Sequence, residues 1–183
     1  PDPVWLQTNA PIGNLSTLTE SKAKRLLSKF GLAVPQTKEI VNKGDIEKSA
    51  KMLTYPLVLK SLGLAHKSEF GAVILNIDSD ISLRAAIEKV PVSPEGYLLE
   101  EMVDAMLVEI IIGVSRDTSV MLLLTMGAGG ILTELLNDSS SLVMPVTRSD
   151  VKHALSKTKI NQILQGYRGA AAANINSIVD AVM

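Results

Sequence analysis

The sequence predicts a mixed α/β chain of two lobes, and three observations carry that prediction. Segments of helical and of strand periodicity alternate from residue 16 onward. The 183 residues are 46% hydrophobic and 20% charged, enough apolar material for two small cores. After Met102 to Ala105 the alternation gives way to a strand-rich segment with trailing helices. The boundaries follow: 1–15 a linker or extended arm, 16–104 an N-terminal lobe, 105–183 a partial C-terminal lobe. A cleft between two such lobes is a common ligand site.

Residues 1–15 hold Pro1, Pro3 and Pro11 among Asn and Gly, the composition of an arm, with Trp5 available to dock it. A first helix starts at Thr19 as N-cap. Its inward face is expected to be Ala23, Leu26, Leu27 and Phe30, and Gly31 and Pro35 end it. Thr37 to Val41 reads as a short strand, and Asp45 as the cap of a helix through Leu53. A strand from Leu57 to Lys60 and another from Ala72 to Ile77 flank a loop. Asp80 opens a third helix with Leu83, Ala86, Ile87 and Val90 inward, stopped by Pro91 and Pro94. Tyr97 to Val103, Val108 to Val114 and Val120 to Thr125 read as strands. Gly127 to Gly130 reads as a turn, Ile131 to Leu136 as strand or helix, and Leu142 to Val146 as a short strand. From Ser149 the pattern is helical, broken near Gly166 to Gly169, with Ala170 to Ala173 inside a helix.

Composition excludes several functions. The net charge of −1, from 18 basic and 19 acidic residues, gives no field for nucleic acid or anionic lipid. Aromatics at 3% provide no base-stacking platform. Cysteine is absent, which rules out disulfides, zinc–thiolate sites and thiol nucleophiles and fits a reducing, cytoplasmic compartment. Thr118 to Thr133 is uncharged, but it is shorter than the roughly 20 residues of a spanning helix and is interrupted by Gly127, Gly129 and Gly130. No secretory signal is visible. The start at Pro1 reads as that of a fragment or a processed product.

The chemistry concentrates in residues 55–75. A lysine, Lys60, ends a buried-type strand, and the following loop carries Gly63, His66, Lys67, Ser68 and Gly71. Glycines let backbone approach closely, while amides, Ser68 and lysines donate to or neutralise a polyphosphate. Without context, a lysine snorkelling at a strand end is the favoured reading of Lys60, with a nucleotide-phosphate ligand as the alternative. His66 is either a solvated loop residue or a nucleophile that takes a phosphoryl group on nitrogen. Glu109 interrupts an apolar strand, where a carboxylate is expensive unless it faces a cleft or forms the polar side of an edge strand. His153 receives no role, and Arg116 with Asp117 reads as a turn ion pair. No Rossmann or P-loop spacing is present, and Gly127-Ala128-Gly129-Gly130 reads as a turn.

Taken together, these segments resemble the ATP-grasp domain of the NDP-forming (ADP-forming) acyl-CoA synthetases, relatives of the succinyl-CoA synthetase β subunit. The resemblance runs from Leu18 to the C-terminus. It rests on Leu18-Thr-Glu-Ser-Lys-Ala-Lys-Arg-Leu-Leu27 with Gly31 and Pro35, on Tyr55-Pro56-Leu-Val-Leu-Lys60, and on Ala65-His66-Lys67-Ser68-Glu69. It continues through Leu99-Glu100-Glu101-Met102-Val103, Glu109-Ile-Ile-Ile-Gly113, Arg116-Asp117, and Gly127-x-Gly129-Gly130 with Glu134, Asp138 and Pro145. Gly166-Tyr167-Arg168-Gly169 completes it.

The resemblance implies an ATP-grasp fold, two lobes with the nucleotide between them, here with the C-terminal part truncated. It implies a ligase that converts acyl-CoA, ADP and phosphate to acid, CoA and ATP through a phosphohistidine. Lys60 would contact the phosphates, covered by Lys67, Ser68 and Gly71. Glu101, Met102, Val103 and Asp104 would hold the adenine, Glu109 the ribose or phosphate region, and His66 would relay the phosphoryl group. The implied cofactors are ATP or ADP, Mg2+ with ligands outside this chain, and CoA bound by other domains. Expected partners are the CoA-binding and ligase domains of the same or a partner chain, a carboxylic acid substrate and an oligomeric assembly, with no nucleic acid or membrane.

Departures from the family pattern are Ala72 for a second glycine, Val120-Met121-Leu122 for Phe-Gly-Pro, and Leu142 for an arginine. The family's Asn-Pro and aspartate strands, which carry the magnesium ligands, are absent before Met183, so the chain is not expected to complete a magnesium–ATP site unaided. The alternative to a ligase is a degenerate, non-catalytic ATP-grasp module with a regulatory role, for instance in a fused protein acetyltransferase.

Overall fold

A computed structural model describes residues 17–63, 71–103, 107–116, 121–130 and 132–183. Expectations for the arm 1–15 and for His66, Lys67, Ser68, Asp104, Asp117 and Val120 fall outside the described residues. The chain divides into two units, Ser16–Asp104 and Ala105–Met183.

In the first unit a four-stranded antiparallel sheet has the order β1-β4-β2-β3, formed by β1 (Thr37–Ile40), β2 (Leu57–Ser61), β3 (Val73–Ile77) and β4 (Tyr97–Glu101). The apolar runs that predicted β2 and β4 are its central strands. Leu57, Leu59, Tyr97 and Leu99 alternate onto one face, where α2 (Ile46–Ala50) and α3 (Asp80–Lys89) cover them with Ile46, Ala50, Leu83 and Ala86. Asp80 opens α3 as expected, while the cap is Ser79. Its hydroxyl accepts from the Ser82 amide, and the Ser82 hydroxyl accepts from the Ser79 amide. The helix stops at Val90 ahead of Pro91. The helix expected from Asp45 to Leu53 is shorter. A 3-10 turn occupies Lys43–Asp45, the Asp45 side chain makes no capping bond, and α2 ends at Ala50.

The face assigned to the first helix is corrected. In α1 (Glu20–Lys29) and at its C-cap, the periodic apolar residues Leu26, Leu27 and Phe30 are exposed, Phe30 to 77%. Ser21 is buried, and Glu20 and Lys24 are largely covered. The polar side turns inward because the other face of the sheet offers it charged partners, Lys60 and Glu100. Thr19 sits at the N-cap in extended conformation without a side-chain capping bond.

The second unit holds a three-stranded antiparallel sheet, order β5-β6-β7, of β5 (Ile110–Arg116), β6 (Leu122–Ala128) and β7 (Ser139–Val143). Leu124 and Met126 of β6 share a face with Leu142 and pack on Val151 and Ala154 of α5 (Arg148–Ser156) and Val179 of α7 (Ile175–Val182), with short α4 (Leu132–Leu136) and α6 (Asn161–Leu164) between. The ambiguous stretch after the glycines is therefore helix, and the last strand lies at 139–143 rather than 142–146. The alanine run is not helical: Gly166, Arg168 and Gly169 adopt positive φ and turn the chain. The Ala173 amide then bonds back to the Leu164 carbonyl, and α7 starts only at Ile175, capped by Asn174, whose side chain accepts from the Asn176 and Ser177 amides. Among the described residues no helix is long and apolar enough to cross a membrane.

Candidate functional site

Lys60 is the centre of the first unit's polar face. It pairs across the sheet with Leu98, so Glu100, two residues on, lies diagonally beside it on the same face. The Lys60 ammonium is 2.5 Å from Glu100 Oε1 and donates to Glu20 Oε1 at 2.5 Å. Lys24, one helical turn from Glu20, donates to Glu20 Oε1 at 2.9 Å and also to Glu100 Oε2. The lysine is thus not a free strand-end residue: its side chain is 17% exposed and that of Glu100 6%.

The electrostatics follow from the pairing. Burial opposes the charge on Glu20, yet hydrogen bonds from Lys60 and Lys24 outweigh it and bring the carboxyl down to about 2. Burial likewise opposes the Lys60 charge, and the hydrogen bonds to Glu100 and Glu20 overcome it, lifting the ammonium above its usual value. A depressed carboxyl contributes stability that is complete above its unfolded value of 4.5 and is lost as pH falls towards 2. Urea titrations between pH 6 and pH 2, acid-limb values chosen about that window, are expected to show wild type losing more stability than Glu20→Gln. Equal losses would mean that the ion pairs do not form in solution.

Glu101 does not join Lys60. Alternation places it on the opposite face, across from Leu57, and its Oε1 accepts from the Thr54 amide at 2.8 Å. The Met102 amide donates to the Pro56 carbonyl at 2.8 Å, and Val103 beside it is exposed. Gly71 precedes β3, a Cβ there would meet nothing among the described residues within 4 Å, and Ala72 beside it is fully buried.

In the second unit Glu109 lies just ahead of β5, and its carbonyl accepts from the Gly129 amide at 2.8 Å. A Cβ on Gly130, at φ +59°, would fall 1.5 Å from Glu109 Oε2, so the carboxylate rests against the glycine turn. Asp138 is buried and accepts from the Lys159 amide at 2.7 Å and the Ile160 amide at 2.9 Å, holding the start of α6 to β7. Leu142, the departure from an arginine, is partly buried and packs against the apolar core. Among the described residues no three His, Asp or Glu side chains gather at one point.

Sequence reasoning missed Glu20, Lys24 and Glu100. Glu100 carried a signal, an acid inside a buried strand two residues off register from a lysine.

The ATP-grasp domain family matches residues 10–183, and the chain belongs to it. More particularly, it is similar to the acetate–CoA ligase (ADP-forming) II subunit β of Pyrococcus furiosus, with 30% identity over 178 residues, 92% of this chain and 75% of that protein. It also resembles solved structures of the Ca. Korarchaeum cryptofilum dinucleotide forming acetyl-coenzyme A synthetase 1. One, in complex with coenzyme A and Ca-AMPCP, has a TM-score of 0.81 and 29% identity, covering 90% of this chain and 76% of that one. Another, with coenzyme A and Mg-AMPPCP, has its phosphohistidine segment pointing towards the nucleotide binding site. It has a TM-score of 0.73 and 28% identity, covering 98% of this chain and 79% of that one.

Proposed function

We propose that the chain is the nucleotide-binding part of an ADP-forming acid–CoA ligase that acts with CoA-binding domains of the same or a partner chain. The observation that carries this reading is Lys60, held charged at the end of β2 within a family-wide match. In this reading Lys60 meets the phosphates, with Lys67, Ser68 and Gly71 as their cover. The backbone from Glu101 to Asp104 meets the adenine, and Glu109 the ribose or phosphate region. An imidazole nitrogen of His66 attacks the transferring phosphorus, the bond to the departing oxygen breaks, and the phosphoryl group passes on to an ADP oxygen, which regenerates the imidazole. A lysine and backbone donors suit this transfer because they neutralise the charge on the moving phosphoryl group.

A second reading, a non-catalytic regulatory ATP-grasp module, is favoured by Leu142, a partly buried apolar residue against the core where the family pattern has a cation. Incubation of the assembled protein with γ-labelled ATP and Mg2+ separates the two. A ligase is expected to give acid-labile, base-stable label that is lost in His66→Ala and in Lys60→Ala. Label retained in His66→Ala places the phosphohistidine elsewhere, and no label in wild type leaves the regulatory module.

A further inference from the structure

The second unit holds a small apolar slot that the nucleotide reading does not use. Leu136, Ile160, Ile163 and Tyr167 line it with Lys159 and Gln162, and it offers about 170 Å³. An apolar cavity of roughly 150 Å³ takes one benzene ring, whereas sites for cofactors and drug-sized ligands run to about 300–1,000 Å³. The slot therefore fits a single phenylalanine or leucine side chain. Tyr167, 52% exposed, stands on the turn from Gly166 to Gly169. The Gly166 amide donates to the Ile163 carbonyl at 3.0 Å and the Ala170 amide to the Tyr167 carbonyl at 3.0 Å, which ties the turn at both ends. Within it Arg168 takes φ +50°, a conformation that L side chains rarely adopt and that persists only where the surroundings hold it. That conformation sets the guanidinium over the Tyr167 ring, 5.4 Å from its centroid. A second exposed cation, Lys159, donates to the Leu136 carbonyl at 3.2 Å just ahead of α6. These bonds of Lys159 and Arg168 go to a carbonyl and a ring, not to a carboxylate. Asp138 turns its buried carboxylate to the Lys159 and Ile160 amides instead. From Val151 to Val179 the chain carries Lys152, Lys157, Lys159 and Arg168 and neither Asp nor Glu.

We propose that this slot is a docking socket for a protein partner, which inserts one phenylalanine or leucine side chain flanked by carboxylates that meet Lys159 and Arg168. A recessed apolar floor, a charged rim and a Tyr–Arg pair are the makeup of an interface hot spot. Lipid fits less well, because a membrane takes up apolar side chains that protrude and this site is recessed. The proposal does not depend on how Lys60 is read.

The test is a titration of the protein, followed by methyl and aromatic NMR, with three capped peptides: Asp-Glu-Phe-Glu-Asp, Asp-Glu-Ala-Glu-Asp and Lys-Lys-Phe-Lys-Lys. The first is expected to shift the Leu136 and Ile163 methyls and the Tyr167 ring with a Kd of about a millimolar or tighter, and the other two to bind at least about tenfold more weakly. Lys159→Gln/Arg168→Asn changes two exposed side chains, and Asn tolerates positive φ, so the fold is expected to survive. This variant is expected to bind the first peptide about tenfold more weakly and to lose its preference over the basic one. Tyr167→Ala, which removes a wall of the slot, is expected to cost a similar factor, and the wild-type peptide comparison decides the matter if that variant fails to fold. No shifts at these residues with the first peptide at about 10 mM overturn the proposal. Equal binding of the alanine peptide means that no socket is filled, and equal binding of the basic peptide means that the rim cations select nothing; either overturns it. Phosphatidylglycerol vesicles that shift the same signals where the first peptide does not make this a lipid site and overturn it too. Shifts of these signals in Trp5→Ala without any peptide assign the slot to the chain's own arm and remove the partner.

Discussion

Lys60→Ala is expected to weaken ATP binding by about a hundredfold, the equivalent of losing one strong charge-assisted hydrogen bond of roughly 1.5–3 kcal/mol. The same change is expected to cost stability. Glu20 and Glu100 would both lose the Lys60 ammonium, and truncating one member of a largely buried ion cluster typically costs about 3–5 kcal/mol. The two effects are separable. Lys60→Arg keeps the charge and is expected to recover much of the stability. Its planar fork cannot reproduce a compact ammonium, so affinity returns only in part. Calorimetry with ATP and urea unfolding on the same preparations measure both. Wild-type ATP affinity in a folded Lys60→Ala would remove Lys60 from the nucleotide site.

Much of the fold was legible because its signals are local. The apolar runs Leu57 to Leu59 and Tyr97 to Leu99 became the central strands of the first sheet, and Pro91 ended α3 as its missing amide requires. The errors have one physical source, which is partners distant in sequence. The Ala23, Leu26, Leu27 and Phe30 stripe is a sound helical pattern, yet its helix turns Glu20 and Lys24 inward, because Lys60 and Glu100 lie 40 and 76 residues away along the chain. Periodicity records which face is apolar and is blind to a compensated charge on the other side. Ala170 to Ala173 is rich in the best helix former, but the positive-φ turn at Gly166 to Gly169 fixes where the chain must return. Of the candidate site, Lys60 and Glu109 stood out as charges in apolar strands. The capture of Glu101 by the Thr54 amide needed the register of β2 on β4.

Gly127→Ala is expected to destabilise the second unit by about 2–4 kcal/mol, the range of substitutions that force backbone apart. Gly127 pairs with Ser139, and the strands come so close there that a Cβ would lie 2.1 Å from the Asp138 carbonyl oxygen and 2.8 Å from the Ser139 Cα. Both are main-chain atoms and cannot swing away as the end of a side chain would, so β7 must move. Asp138 would move with it, and its carboxylate is what satisfies the amides of Lys159 and Ile160. Faster hydrogen exchange at those two amides is therefore expected alongside the lower urea midpoint, although both lie more than thirty residues from the substitution. Gly113→Ala in the neighbouring strand is the control. A Cβ there meets nothing among the described residues within 4 Å, and the change is expected to stay within about 0.5 kcal/mol of wild type. A Gly127→Ala protein as stable as Gly113→Ala would show that β6 and β7 do not approach each other this closely, and would leave the density of glycines before Ile131 without a packing reason.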